Sequence, residues 1–164
     1  MENPISALIA DKGWCVADGA TGSNFFGRGL EAGYPPELWC LEKPEDVLWL
    51  HGEFLSAGSD LILTNSFGGN ALRLKLHKAE SRVRELNIAA ANLARQAVEA
   101  HAQKTGRKAL VAGSIGPTGE LFEPMGALTY EAAVTCFTEQ AEALAEGGAD
   151  VLWIETMSAN EEVA

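Results

Sequence analysis

Residues 147–156 read GGADVLWIET. Two glycines stop whatever precedes them, a small residue and Asp150 follow, and four apolar residues then run into Glu155. Earlier in the chain, AGSDLILTNS at 57–66 has the same order of parts: small, Gly58, small, Asp60, an apolar run, then Thr64, Asn65 and Ser66. Both read as a glycine-terminated helix passing directly into a strand that is apolar on both faces. Such strands belong to parallel sheets flanked by helices, and the repeat fixes polarity, because both polar tips fall at carboxyl ends.

Working outward, the alternation continues. GWCVAD (13–18) reads as a first strand, DLILTN (60–65) as a second, ALVAGSIG (109–116) as a third and DVLWIE (150–155) as a fourth. Between them, KPEDVLWLHGEFLSAG (43–58) reads as a helix with Pro44 in its first turn and Val47, Leu50, Phe54 and Ala57 on one face. Glu80 to Lys104 is a long helix with a stripe of Val83, Leu86, Ala90, Leu93, Ala97 and Val98. Thr129 is an N-cap for a third helix that turns Ala133, Phe137, Ala141 and Leu144 inward. SANEEVA (158–164) reads as a fourth helix beginning at Ser158.

Four βα units make an α/β domain spanning 1–164. They leave two architectures, a doubly wound open sheet or the first four units of a (β/α)8 barrel of TIM type, a half-barrel. The open sheet would be expected to carry a phosphate loop, and neither GxxxxGK[ST] nor GxGxxG occurs. The barrel reading takes the chain as four units out of eight.

The bulk properties narrow the partners. A formal net charge of −11 disfavours nucleic acid and anionic membrane surfaces. No apolar run approaches the roughly 20 residues of a membrane span. The opening MENPISALIADKG lacks the basic and apolar regions of a signal peptide. Three widely spaced cysteines, Cys15, Cys40 and Cys136, suit a reducing cytoplasm and form no zinc motif. Cys15 and Cys136 read as small core residues, while Cys40 reads as a candidate for exposure. His51, His77 and His101 have no ligand partners nearby in sequence and read as structural.

In both architectures ligands sit at the carboxyl ends of the strands. Those ends carry Asp18, then Thr64, Asn65 and Ser66, then Ser114, then Glu155. Asp18 and Glu155 stand on equivalent tips with no lysine or arginine in their own loops, which suits an ammonium group or a metal. The simpler roles are an Asx turn for Asp18 before Gly19, and a helix cap or ion pair for Glu155. Tyr34 and Trp39 lie in the long loop after the first strand, where they would either pack or face a cationic ligand.

Taken in order, DGATGSNFFGRGL, HGEFLSAGSDLILTNSFGGNALRL, VAGSIGPTGE and GGADVLWIETMS resemble the homocysteine S-methyltransferase family. The likeness covers nearly the whole chain. It is greatest to bacterial betaine–homocysteine methyltransferases, and the methyltransferase module of cobalamin-dependent methionine synthase shares much of the pattern. The resemblance implies a (β/α)8 barrel that binds homocysteine at its mouth, and a zinc ion that turns the thiol into a thiolate able to accept a methyl group. It implies that Asp18 and Glu155 hold the substrate ammonium. Groups near Gly19, Thr64 and Ser66 would meet its carboxylate. The family's zinc ligands are three cysteines in the second half of the barrel. Cys15, Cys40 and Cys136 are not at those positions, so no zinc is expected on this chain and no methyl transfer by it alone. Association through open barrel edges, as a homo-oligomer, is expected instead. A non-catalytic amino-acid-binding domain is the alternative.

Overall fold

Three parallel strands form the sheet: β1 (Leu61–Leu63), β2 (Leu110–Ile115) and β3 (Val151–Ile154), in that spatial order. Leu61 stands opposite Leu110, and Ala112 opposite Val151. The structure is a computed structural model and describes residues 3–164.

Among the described residues seven α-helices accompany the strands: α1 (Pro4–Lys12), α2 (Gly22–Phe26), α3 (Trp39–Glu42), α4 (Pro44–Ala57), α5 (Ala71–Lys75), α6 (Val83–Thr105) and α7 (Tyr130–Glu146). The long α6 is central, packing against both α4 and α7. Its stripe is buried as the apolar spacing requires, from Val83 through Leu86, Ala90 and Ala94 to Val98. Gly106, at φ 75°, ends it with an N–H to the Ala102 carbonyl. The buried face of α4 runs through Val47, Leu50, His51 and Leu55, while Phe54 is half-buried and Ala57 exposed.

Strand alternation sorts the side chains into two layers. Ile62 and Val111 join Leu55, Ala94 and Val98 on the helix side, and Ile115 joins Ala91 and Leu144. Each fully buried side chain of this size contributes about 1.5–3 kcal/mol. Leu63, Ser114 and Trp153 lie on the other face and line a cleft.

The repeated Gly-small-Asp unit proves to be a structural clamp at the amino ends of the strands. Asp60 accepts the Val16 N–H at 3.1 Å, and Asp150 accepts the Val111 N–H at 2.8 Å, each reaching to the neighbouring strand or segment. An arginine closes each clamp. Arg107 donates to the Gly58 carbonyl at 3.0 Å and to Asp60 at 3.4 Å; Arg95 donates to the Gly148 carbonyl at 2.6 Å and pairs with Asp150 at 2.7 Å. Gly58 and Gly148 both take a positive φ, 113° and 98°, which presents those carbonyls. Lys12 also pairs with Asp60. Burial penalises the Asp60 carboxylate, but Lys12, the Val16 amide and Arg107 together hold it below its usual range.

Three expectations need correction. Residues 13–18 form no strand; a single parallel bridge joins Ala17 to Leu61. The Val16 N–H goes to the Asp60 side chain instead of a ladder, and Trp14 and Val16 remain 57% and 43% exposed. The half-barrel of four complete units is therefore reduced to three strands and a bridged segment. Residues 158–164 form a short 3-10 turn, Asn160–Glu162, and not an α-helix; the Ser158 N–H is taken by the Glu162 carboxylate at 2.8 Å. Helices α1, α2, α3 and α5 lie where no helix was expected.

Candidate functional site

The carboxyl ends of the strands open into a cleft of about 810 Å³. Asp18, Gly19, Thr64, Asn65, Ser66, Ser114 and Glu155 all line it, so every strand-tip residue singled out from the sequence borders one space.

Asp18 is half-buried just beyond the Ala17 bridge, and its Oδ2 accepts the Leu63 N–H at 2.9 Å. Burial raises its pKa to about 6; the Leu63 amide opposes that, and the negative charge of Glu155 adds to it. The two carboxylates thus feel each other across the cleft. Glu155 extends from the end of β3, where its N–H bonds the Ile115 carbonyl at 3.1 Å and its Oε1 accepts the Ser114 hydroxyl at 2.6 Å. Thr156 follows at φ 58°, a left-handed conformation uncommon for a β-branched residue.

Thr64, Ser66 and Ser114 are buried and share one chain of hydrogen bonds. The Thr64 and Ser66 hydroxyls lie 2.6 Å apart, the Ser66 hydroxyl donates to the Ser114 carbonyl at 2.8 Å, and the Ser114 N–H donates to the Thr64 hydroxyl at 3.0 Å. The tips of β1 and β2 are thereby locked together. A Cβ on Gly19 would come within 3.1 Å of the Phe54 ring, so a larger residue would shift either the ring or the backbone beside Asp18.

Beneath the loop that follows β1 lies a polar network the sequence reading missed. Gln140 of α7 donates to the Ser66 carbonyl at 2.8 Å and to the Asn87 Oδ1 at 3.2 Å. Asn87 of α6 donates to the carbonyls of Gly69 at 2.8 Å and Val83 at 2.7 Å. Asn70 caps α5 by accepting the Arg73 N–H at 3.0 Å. All three amides are fully buried. On the other side of the cleft, Glu37 accepts the Gly68 N–H at 2.7 Å, and burial raises its pKa. Near the end of the chain, Glu162 receives the Thr118 N–H and hydroxyl at 2.9 and 2.7 Å; these and the Ser158 N–H outweigh burial and keep its carboxylate below the usual range.

Trp39 and Cys40 both belong to the core, at 3% exposure, so Trp39 is not available to a ligand and Cys40 is not an exposed thiol. Burial pushes the Cys40 pKa up to about 12. Tyr34 does line the cleft, its hydroxyl donating to Glu42 at 2.6 Å. His51 is buried without a partner and burial lowers its pKa to about 4, which makes it a neutral packing residue. His77, read as structural, borders the cleft.

The homocysteine S-methyltransferase family model matches residues 15–164. The chain belongs to that family. Among solved structures, the homocysteine methyltransferase MmuM of Escherichia coli in its oxidised form superposes with a TM-score of 0.85 at 27% identity, covering 99% of this chain and 59% of MmuM. The metallated form gives 0.83 at 28% identity, covering 98% and 60%, and the apo form 0.78 at 27%, covering 98% and 56%. The chain therefore spans about three fifths of the length of these structural relatives. One of them is a metallated protein. Among the described residues no three His, Cys, Asp or Glu side chains cluster as a ligand set. The cysteines of this homocysteine S-methyltransferase homologue are scattered, with Cys40 and Cys136 in the core and Cys15 half-buried. These residues do not fit a zinc centre.

Proposed function

We propose that this chain forms the homocysteine-binding wall of a homocysteine S-methyltransferase, the first half of a (β/α)8 barrel. The reaction is transfer of a methyl group from betaine or a related onium donor to the thiolate of homocysteine, giving methionine. One observation carries the reading: Asp18 and Glu155 border one cleft, where burial raises the Asp18 pKa and the negative charge of Glu155 adds to it. Like charges held together in a partly dry cleft form a receptor for a cation, and the substrate ammonium relieves both. The backbone beside Gly19 supplies donors for the amino-acid carboxylate, and the Thr64–Ser66 loop, held rigid by its own hydrogen bonds, forms the wall against which that carboxylate sits. The groups that activate the thiol lie outside these 164 residues in this reading, so the chain by itself binds homocysteine without turning it over.

Calorimetry with homocysteine, with and without zinc, is the test. Binding that is independent of zinc and lost in Asp18→Asn agrees with the proposal. Binding that needs zinc would show a metal centre on this chain, and absence of binding would remove the reading altogether.

The same reading includes self-association. Leu152 and Ile154 on the outer face of β3 are 45% and 50% exposed beside Val134 at 46% and Val163 at 59%. An apolar strand face of this kind is a surface for a second copy. Light scattering should find dimers or larger species that Leu152→Lys with Ile154→Lys disperses; a wild-type monomer at micromolar concentration would exclude it. No helix among the described residues is long and apolar enough to cross a membrane.

A further inference from the structure

Six arginines occur in the sequence, at 28, 73, 82, 84, 95 and 107. Five of them are ion-paired: Arg28 with Asp46, Arg82 with Glu85, Arg84 with Glu146, Arg95 with Asp150 and Arg107 with Asp60. Arg73 is the exception. Its guanidinium makes no ion pair and donates no hydrogen bond among the described residues, although it is half-buried and lines the cleft. A guanidinium has five N–H donors, and none of those of Arg73 is sealed from the cleft, so all are open to the acceptor of a ligand.

The backbone that carries Arg73 is fixed. The fully buried Asn70 takes its N–H at 3.0 Å and donates to the Pro117 carbonyl at 3.3 Å, so the start of α5 is tied to the loop after β2. Gly119, at φ 80°, leaves room for the side chain; a Cβ there would lie 3.0 Å from the guanidinium Nη1. Glu37 feels the charge of Arg73, but it is bonded to the Gly68 amide and is not paired with Arg73. The cleft thus has acids, Asp18 and Glu155, from one set of loops and an unanswered cation from another. At about 810 Å³ it lies in the range that holds ligands well above the size of one amino acid.

We infer that Arg73 is a specificity residue that receives the carboxylate of a second ligand, a small carboxylate-bearing onium methyl donor bound beside homocysteine. This deepens the function proposed above and rests on it. Guanidinium and carboxylate match as a two-pronged, charge-assisted pair, which a lysine reproduces only as a point charge.

Calorimetry on the full chain tests it, with glycine betaine and S-methylmethionine as carboxylate-bearing probes and choline as the carboxylate-free control. The wild type is expected to bind at least one carboxylate probe, and whichever of the two binds identifies the source. Arg73→Gln should weaken that probe about tenfold or more, with Arg73→Lys intermediate. Choline should be weak throughout, and homocysteine should bind wild type and variants alike. Far-ultraviolet circular dichroism and an unchanged melting curve establish that the variants are folded. Wild type that binds neither carboxylate probe, or binds choline equally well, overturns the inference. So does an equal loss of homocysteine binding in Arg73→Gln, since Arg73 would then serve the amino acid. Absence of homocysteine binding in wild type, with a carboxylate probe still dependent on Arg73, would overturn the parent reading and the place beside homocysteine, and would leave Arg73 as a carboxylate site only.

Discussion

Asp18→Asn should stabilise the protein at neutral pH while weakening its hold on homocysteine. The Asp18 pKa is raised from 3.8 to about 6 in the folded state. A raised acid pKa means the folded chain keeps a proton that the unfolded chain has already released, so stability falls as pH rises from about 4 to about 6 and stays low above that. About two pKa units at roughly 1.4 kcal/mol each give an upper bound of about 3 kcal/mol. Asp18 is only half-buried, and solvent screening reduces this to about 1–2 kcal/mol. Asparagine carries no charge and can still accept the Leu63 N–H. The variant should therefore exceed wild type by about 1–2 kcal/mol at about pH 8, and by less than half the neutral-pH value at about pH 4. Urea unfolding of both proteins across that range measures the difference, and comparing the pair removes the effect of the overall charge. A difference that does not change with pH, or a wild type more stable at neutral pH, would refute the account of Asp18 as a carboxylate held against its preference. The same variant should lose about tenfold or more in homocysteine affinity, since the ammonium is the charge that makes ionised Asp18 tolerable.

Other outcomes follow from the same geometry. Glu155→Gln keeps an acceptor for the Ser114 hydroxyl but removes the like charge, so the Asp18 titration midpoint should fall below about 6, as read from its carboxyl carbon by NMR. Homocysteine affinity in wild type should rise from about pH 5 to about pH 7, because the bound ammonium favours the ionised Asp18 that higher pH supplies; a flat profile in a pH series of titrations would contradict this. Asn87→Ala leaves the buried Gly69 carbonyl without its side-chain donor and removes one of the two acceptors of the Gln140 amide, which should cost about 1–3 kcal/mol in urea unfolding and speed hydrogen exchange at Gly69. Gly116→Ala places a Cβ 2.6 Å from the Phe67 ring, so it should cost about 1–3 kcal/mol in a thermal melt, with the Phe67 resonances shifted.

The parts that were legible in the sequence are those set by short-range rules. Apolar runs bounded by Gly-small-Asp and polar tips located β1, β2 and β3, and the tips converge because parallel strands share a polarity. Residues 13–18 form no strand: GWCVAD has the right composition, yet the Val16 N–H goes to the Asp60 side chain and only a single bridge joins the segment to β1, and a composition does not say where an N–H will be bonded. For Trp39 the sequence leaves packing and ligand contact both open, because it does not show α3; that helix turns the indole inward against Phe25, ring centroids 5.0 Å apart. Asn87 and Gln140 left a faint signal, since each interrupts an otherwise apolar helix face, and an amide in that position has to find partners. Arg73 left none. It stands among Leu72, Leu74 and Lys75 in an ordinary amphipathic segment, and only the meeting of α5 with the Gly119 turn brings it to the cleft.

The twin aspartate–arginine clamps sit at the end of the sheet away from the cleft. Anchorage and recognition are thereby assigned to opposite poles of the same strands. Selection is free to rewrite one pole without loosening the other, so descendants of this scaffold can exchange the ligands they accept while keeping Asp60, Asp150, Arg95 and Arg107 unaltered.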